Sequence, residues 1–380
     1  LRRLPQGSVI DRIRYVCWKL LYRQLYSRRV IEANGDAYHT NVIVDRFVRP
    51  KSCCRKLVCL TGFGHSGSGA VADLLSEYKT STVLSYRDAN GSVRSDGKSF
   101  EIDFLRSSAG VFAFEDYFAS SCRRSGDLMA RLFIEMVIYA VRAYGGIFGE
   151  EFVRASRQFL DQLVDYKCQA TPGYDFNPFL LKLGELACKV FWGNETSYIY
   201  VLKELTVSEY RGIAREYVRA VIDSIESNEY LVLDQAVSDG TADLDRYQAY
   251  LGPFKLIAVM RDPRDVYVTG RLLNENWVPS EIKAFIKWYR KRVANYWHLS
   301  HCNYKLIRFE ELVQQYDTSV AEIEKFIGLC SCDHVSQFSA FDPQCSRKNI
   351  GLYKSFKNQI AIKEIETELA EFFVHDYLLN

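Results

Sequence analysis

The chain lacks any uninterrupted apolar run of about 18 residues, the length a helix needs to cross a bilayer, and it shows no short apolar stretch of the kind that reads as a secretory leader. An anchored enzyme of the secretory route is therefore not expected, and a cytoplasmic location is. Net charge is also scarce: 49 Lys and Arg against 47 Asp and Glu leave +2, so no nucleic-acid partner is expected and basic character has to be local. Paired Cys-x-x-Cys or Cys/His spacings are missing. The 11 cysteines are an odd number, scattered through apolar segments such as Leu57 to Leu60 and Leu186 to Val190. Reduced core thiols follow, with no zinc or other metal site at Cys53-Cys54 or Cys330-Ser331-Cys332. Internal repeats and low-complexity tracts are absent too. What is plentiful is apolar: 48% hydrophobic content over 380 residues can bury a large core, enough for one enlarged α/β domain or a domain with a helical insert.

The richest local signal is Thr61-Gly62-Phe63-Gly64-His65-Ser66-Gly67-Ser68-Gly69-Ala70, which follows the apolar run Leu57-Val58-Cys59-Leu60 and leads into Val71-Ala72-Asp73-Leu74-Leu75. Strand, glycine-rich turn and helix make a phosphate cradle. A helix N-terminus offers unpaired N–H groups and partial positive charge, and glycines let the backbone approach an anion. Ser66 and Ser68 add hydroxyls. A Walker A loop would need Gly-Lys-Ser/Thr at the helix start, with the lysine on the outer phosphates and the hydroxyl on Mg²⁺. Ser68-Gly69-Ala70 provides neither, which argues against ATP or GTP hydrolysis and for an anionic donor that needs no metal.

A second segment supports the first. Phe254 to Met260 reads as a buried strand that ends in Arg261-Asp262-Pro263-Arg264-Asp265-Val266-Tyr267-Val268-Thr269. Pro263 suits the first turn of a helix, which puts Arg261 at the strand's C-terminal edge and Thr269 about two turns into the helix. The C-terminal edges of parallel strands are where open α/β sheets bind ligands.

Strand-Arg-Asp-Pro-Arg-Asp-Val-x-x-Ser/Thr resembles the 3′-phosphate motif of the sulfotransferases that use 3′-phosphoadenosine 5′-phosphosulfate (PAPS), and the loop Gly64 to Gly69 resembles their 5′-phosphosulfate loop. Tyr304 to Leu312 is similar to the family's late strand and following helix, Ile323 to Leu329 to the end of that helix, and Ser346-Arg347-Lys348-Asn349-Ile350-Gly351 to the loop closing over the 3′-phosphate. The matches run from about residue 56 to 357. Three departures stand out. His65 replaces the usual lysine of cytosolic small-molecule enzymes, Thr269 replaces the commoner serine, and Arg347-Lys348 is followed by a shorter glycine spacing. They make the chain look closer to the carbohydrate branch than to the phenol and steroid branch.

The resemblance implies an α/β fold with a P-loop-like central parallel sheet flanked by helices and a helical insertion. It implies a PAPS-dependent sulfotransferase, with PAPS as co-substrate, no metal, and a saccharide or glycolipid hydroxyl as acceptor. Sulfuryl transfer, like phosphoryl transfer, asks for positioned donors and a base for the acceptor hydroxyl. Gly64, His65, Ser66, Gly67, Ser68 and Gly69 would hold the 5′-phosphosulfate, and Arg261, Thr269, Arg347 and Lys348 the 3′-phosphate. His65 would also bond the leaving bridging oxygen or, on the plainer reading, cap a tight turn. By position in the family Glu101 is the candidate base, with Asp103 and then Asp88 as alternatives. A solvated surface carboxylate is the plain reading of Glu101. Arg264 and Asp265 are expected to pair with neighbours or cap the helix, and Asp234-Gln235 to touch acceptor or orient the loop. The alternatives are a kinase-like nucleotide-dependent transferase using the same loop, and a non-catalytic nucleotide-binding protein that kept the cradle without the base.

Residues 1–50 form a basic extension in which Arg2, Arg3, Arg12, Arg14, Lys19, Arg23, Arg28 and Arg29 face one acid, Asp11. The apolar residues between them make an amphipathic helix. It suits peripheral contact with an anionic membrane, or packing on the sheet with a solvated basic face, which is the favoured reading. Residues 51–380 are expected to be the catalytic domain. Within it about 116–225 read as a helical, aromatic-rich insert that shapes the acceptor cleft, broken at Thr171-Pro172-Gly173 and Trp192-Gly193-Asn194.

Overall fold

A computed structural model describes residues 55–84, 111–119, 150–169, 198–225, 227–237, 244–273, 278–297 and 302–373. All belong to the unit Cys53–Asn380. The basic N-terminal extension, the segment holding Asp88, Glu101 and Asp103, and the two breaks named within the insert lie outside the described residues.

In chain order the elements are β1 (Lys56–Thr61), α1 (Ser68–Ser76), β2 (Ser81–Leu84), α2 (Val111–Ala119), α3 (150–163), β3 (Val164–Gln169) and β4 (Tyr198–Leu202). Then follow α4 (Val207–Ser224), β5 (Tyr230–Leu233), α5 (Leu244–Leu251), β6 (Phe254–Met260), α6 (Pro263–Leu272), α7 (Ile282–Trp297) and β7 (Tyr304–Arg308). The last are α8 (Phe309–Gln314), α9 (Tyr316–Ile327), α10 (Pro343–Ser346) and α11 (Gln359–Glu368).

The central sheet has five strands in the order β2-β5-β1-β6-β7, and every neighbouring pair is parallel. Parallel neighbours need long crossovers, and the helices between them supply these. Such a sheet is covered on both faces, so its strands are apolar on both sides. On β1, Val58 and Leu60 join Val232, Ile257, Val259 and Ile307 under α1, α8 and α9, while Cys59 points the other way, to Leu231, Leu233 and Leu256 under α2, α4 and α5. Ala258 and Met260 of β6 join a further core built on Val266, Phe285 and Tyr289. The result is the expected α/β architecture, a central parallel sheet flanked by helices.

Local chemistry fixes where the helices begin. α4 opens on a capping box: Thr206 Oγ1 accepts from Glu209 N at 3.2 Å, and the Glu209 carboxylate accepts from Thr206 N at 2.8 Å. At α6, Asp262 caps and Pro263 takes the first turn, as the sequence pattern requires.

Two findings differ from expectation. The insert holds helices α3 and α4, and it also holds an antiparallel pair, β3 with β4. Tyr198-Ile199-Tyr200-Val201 is rich in the aromatic and β-branched residues that favour strands, a preference the helical reading passed over. Cys330 and Cys332, expected as reduced thiols, are joined in a disulfide; their Cα atoms lie 5.2 Å apart, within bridging range. Among the described residues Cys302 and Cys345 are free thiols, and no helix is long and apolar enough to cross a membrane.

Candidate anion-binding site

The site gathers where β5, β1, β6 and β7 end, side by side in the sheet. The loop after β1 turns into α1 through His65 at φ 66° and Gly67 at φ 94°. A side chain at Gly67 would run into Phe309, with the Cβ 2.6 Å from its ring, so this position needs glycine for space as well as for conformation. Within the loop Ser66 N donates to the Phe63 carbonyl at 2.9 Å and Phe63 N donates to Ser66 Oγ at 3.2 Å, which makes the buried Ser66 a brace. No side chain caps α1, and its first residues, Ser68 and Gly69, line a cleft. Uncapped first-turn amides at an open cleft are suited to an anion.

The neighbouring strands flank this loop. After β5, Gln235 adopts φ 56° and donates from Nε2 to Ser68 Oγ at 2.7 Å. Because the oxygen accepts that bond, the Ser68 hydroxyl proton is left to point at a ligand. After β6, Arg261 is 5% exposed; its Nη1 donates to the His65 carbonyl at a long 3.3 Å, and its Nη2 donates to the Asn349 carbonyl. Its Nε finds no acceptor among the described residues. After β7, the Phe309 ring lies 5.2 Å from the guanidinium.

Charge behind Arg261 is crowded. The Asp262 amide donates to Glu310 Oε1 at 2.9 Å, and Tyr289 donates its hydroxyl to the Arg261 carbonyl at 2.6 Å. Burial, together with the nearby Asp262 charge, pushes the Glu310 carboxyl up to about 7. Burial also raises Asp265, against the pull of Arg261, and lowers Arg261, against the pull of Asp265, Glu310 and Asp262. Arg261 stays a cation all the same. Arg264 faces away from the cleft lining, paired with Asp262 at 2.7 Å and Glu366 at 3.1 Å. Asp265 accepts from Gly351 N at 2.7 Å and Tyr353 N at 3.2 Å, so it ties the C-terminal segment to α6.

The cleft has a volume of about 660 Å³. His65, Ser66, Gly67, Ser68, Gly69 and Arg261 all line it, together with Asn349. Gly64, Thr269, Arg347 and Lys348 do not. Arg347 and Lys348 are exposed on a 3₁₀ turn beside the rim, and Thr269 donates its hydroxyl to the Asp265 carbonyl at 2.7 Å. Glu101 lies outside the described residues. Sequence reasoning missed Phe309 and the wall Phe338 to Asp342. Phe338 is half-exposed in the cleft at φ 65°, a conformation that a bulky side chain rarely adopts. Nothing in Ser336-Gln337-Phe338 signals it, since the strain is imposed by its surroundings.

No protein-family model matches the chain, and no curated protein does. Among solved structures, the sulfotransferase domain of the Synechococcus PCC 7002 olefin synthase is 13% identical, with 87% of this chain and 100% of that chain covered at a TM-score of 0.36. A sulfotransferase domain from the curacin biosynthetic pathway is 10% identical, with 83% and 97% covered at 0.36. Sulfotransferase STF1 of Mycobacterium tuberculosis H37Rv is 11% identical, with 78% and 76% covered at 0.33. The functional reading is carried by the site itself.

Proposed function

We propose that the chain is a sulfotransferase that moves a sulfuryl group from PAPS to a hydroxyl of a saccharide or glycolipid. The observation that carries this reading is the pairing, at the ends of adjacent strands β1 and β6, of a lysine-free glycine and serine cradle with the buried Arg261. The donor fits what the residues ask for. Arg261 has donor capacity left over at Nε and in its long bond to His65, the α1 amides are uncapped, and a 660 Å³ cleft has the size of a nucleotide site.

The donor supplies the activated sulfuryl group. The loop amides and the Ser68 hydroxyl hold the 5′ end, and His65 contacts the bridging oxygen. Arg261 takes the 3′-phosphate, with Arg347, Lys348 and Thr269 as the further candidate contacts. The exposed Phe338 ring offers a face for the flat base. Glu101 is the base that takes the acceptor proton, with Asp103 and Asp88 as alternatives. The acceptor class and a cytoplasmic location, with the basic N-terminal helix touching an anionic membrane when the acceptor is a glycolipid, belong to the same reading.

Calorimetric titration with 3′-phosphoadenosine 5′-phosphate, with ATP plus Mg²⁺ in parallel, tests it. Binding of the bisphosphate that ATP does not match supports the reading. Preference for ATP would hand the cradle to a kinase-like transferase, and a Glu101→Ala protein that binds and transfers as well as wild type would remove the proposed base.

A further inference from the structure

Glu77 is the C-cap residue of α1, 2% exposed, and its carboxylate is spent on a segment far away in the sequence. Oε1 accepts from Ala340 N and Phe341 N, each at 2.9 Å, and Oε2 meets His334 Nε2 at 2.7 Å. The His334 ring stacks on Tyr78, centroids 4.4 Å apart and planes 14° off parallel, and Tyr78 donates its hydroxyl to Glu324 at 2.9 Å. The main chain reinforces the junction: Lys79 N donates to the Asp333 carbonyl at 3.0 Å and Ser336 N to the Glu77 carbonyl at 3.3 Å.

A buried carboxylate is costly unless hydrogen bonds satisfy it, and these do so by gripping one strap of chain. The same strap, from Phe338 to Asp342, is the wall of the cleft that lies with the loop at the other end of α1. At about 1.5 Å per residue, the helix is a rigid strut roughly 14 Å long with the cradle at its N-terminus and the strap at its C-cap.

We propose that Glu77 is a positioning residue for the donor: through the Ala340 and Phe341 amides and His334 it fixes the wall Phe338–Asp342 where the nucleoside half of the ligand has to sit. The assignment rests on the reading of the cleft as the donor site. Glu77 touches neither ligand nor reacting atoms, so its effect falls on donor affinity and not on the transfer step itself.

Three variants test this with two readouts, amide hydrogen exchange over residues 336–342 and calorimetric affinity for 3′-phosphoadenosine 5′-phosphate. Glu77→Ala removes every acceptor at once, and exchange at Ala340 and Phe341 is expected to quicken at least about tenfold while the Kd rises at least about tenfold. Glu77→Gln keeps an oxygen for both amides and an amide group of nearly the same shape facing the His334 ring, so both readouts are expected within about threefold of wild type. His334→Ala leaves the amide bonds in place and is expected to fall between the two, which keeps the test alive should Glu77→Ala fail to fold. Unchanged affinity despite faster exchange in Glu77→Ala, or an equal loss in Glu77→Gln, overturns the proposal. A wild-type protein that does not bind the bisphosphate overturns the donor reading and this assignment with it. Exchange that still follows Glu77 would then show a structural hold on the strap and nothing about a donor.

Discussion

Two buried ion networks, one in the helical layer over a face of the sheet and one at the strand ends, settle their charges in opposite ways. In the helical layer Glu115 of α2 is 3% exposed and accepts from Arg211 Nε at 2.6 Å and Arg246 Nε at 2.7 Å. Burial would raise its pKa, but the two arginines overcome that and hold it below the ordinary carboxylate range. Arg246 is lowered by burial and raised more by Glu115 and Asp116, and it also covers the Phe112 ring at 4.3 Å. Each partner there reinforces the other. Behind the cleft the balance is reversed: Glu310, Asp265 and Arg261 are all driven toward neutrality. A structural network closes on itself, whereas the network at the strand ends leaves the Arg261 Nε without an acceptor among the described residues, which fits the proposed donor site.

Deleting one arginine from each network is the strongest way to break that comparison. Arg261→Ala is expected to weaken the bisphosphate at least about 100-fold, in keeping with the roughly 3 kcal/mol that loss of one partner of a buried charge pair costs. Arg246→Ala is expected to leave affinity within about twofold and instead to lower unfolding free energy in urea by about 2–3 kcal/mol, less than the fully buried case because Arg246 keeps some solvent contact. Equal effects on binding would erase the distinction.

The pH profile sharpens it. Glu310 is raised from 4.5 to about 7 on folding, so between those values the folded state keeps a proton that the unfolded state has lost. Stability from this group is full at acid pH and falls as pH rises through that window. Glu310→Gln is expected to flatten that fall, a relative gain on the order of 2–3 kcal/mol at pH 8 compared with pH 4. Glu115 has the opposite sign. Its depressed pKa stabilises above the ordinary carboxylate range and that contribution is lost as pH falls, so Glu115→Gln is expected to flatten the acid side only. Denaturation midpoints measured across pH would show both.

The smallest effects come from the loop. Gly67→Ala would set a Cβ against Phe309 at a positive φ, and a loss of about 1–3 kcal/mol is expected from thermal unfolding. Gly69→Ala meets nothing within 4 Å and lies in helical backbone, so its stability is expected within about 0.5 kcal/mol of wild type or slightly above it. A reversed order would mean that the loop relaxes in a way its geometry does not suggest.

The strands were legible because a parallel sheet buried on both faces writes itself as short apolar runs. Phe254 to Met260 and the run Leu57 to Leu60 lie where the pattern puts them, and Tyr304 to Arg308 where the resemblance does. The strand-turn-helix of the loop was legible because clustered glycines after an apolar run mark a tight turn, which the structure places between β1 and α1. Gln235 was only half legible: a polar residue at a strand end was noted, yet its bond to Ser68 depends on β5 being the neighbour of β1, which is a property of topology. Asp265 was read as a cap or ion-pair partner. Its bonds to Gly351 and Tyr353 required knowing that a segment 86 residues away folds back onto α6. Glu77, Glu310 and Phe338 left no mark in the sequence at all, because burial and imposed backbone conformation are made by the surroundings.

The tether from Asp265 has a further consequence. It grips main-chain N–H groups, which every residue except proline carries, so it does not read the sequence of the segment it holds. Exposed side chains along that stretch can therefore change without loosening the anchor, but proline is excluded wherever an amide is held, Gly351 has a φ of 77° that suits glycine, and the Tyr353 ring is buried against Arg264. The backbone of this segment is thus pinned independently of its exposed side chains, so a change in those side chains alters the surface beside the cleft and leaves the segment's path in place.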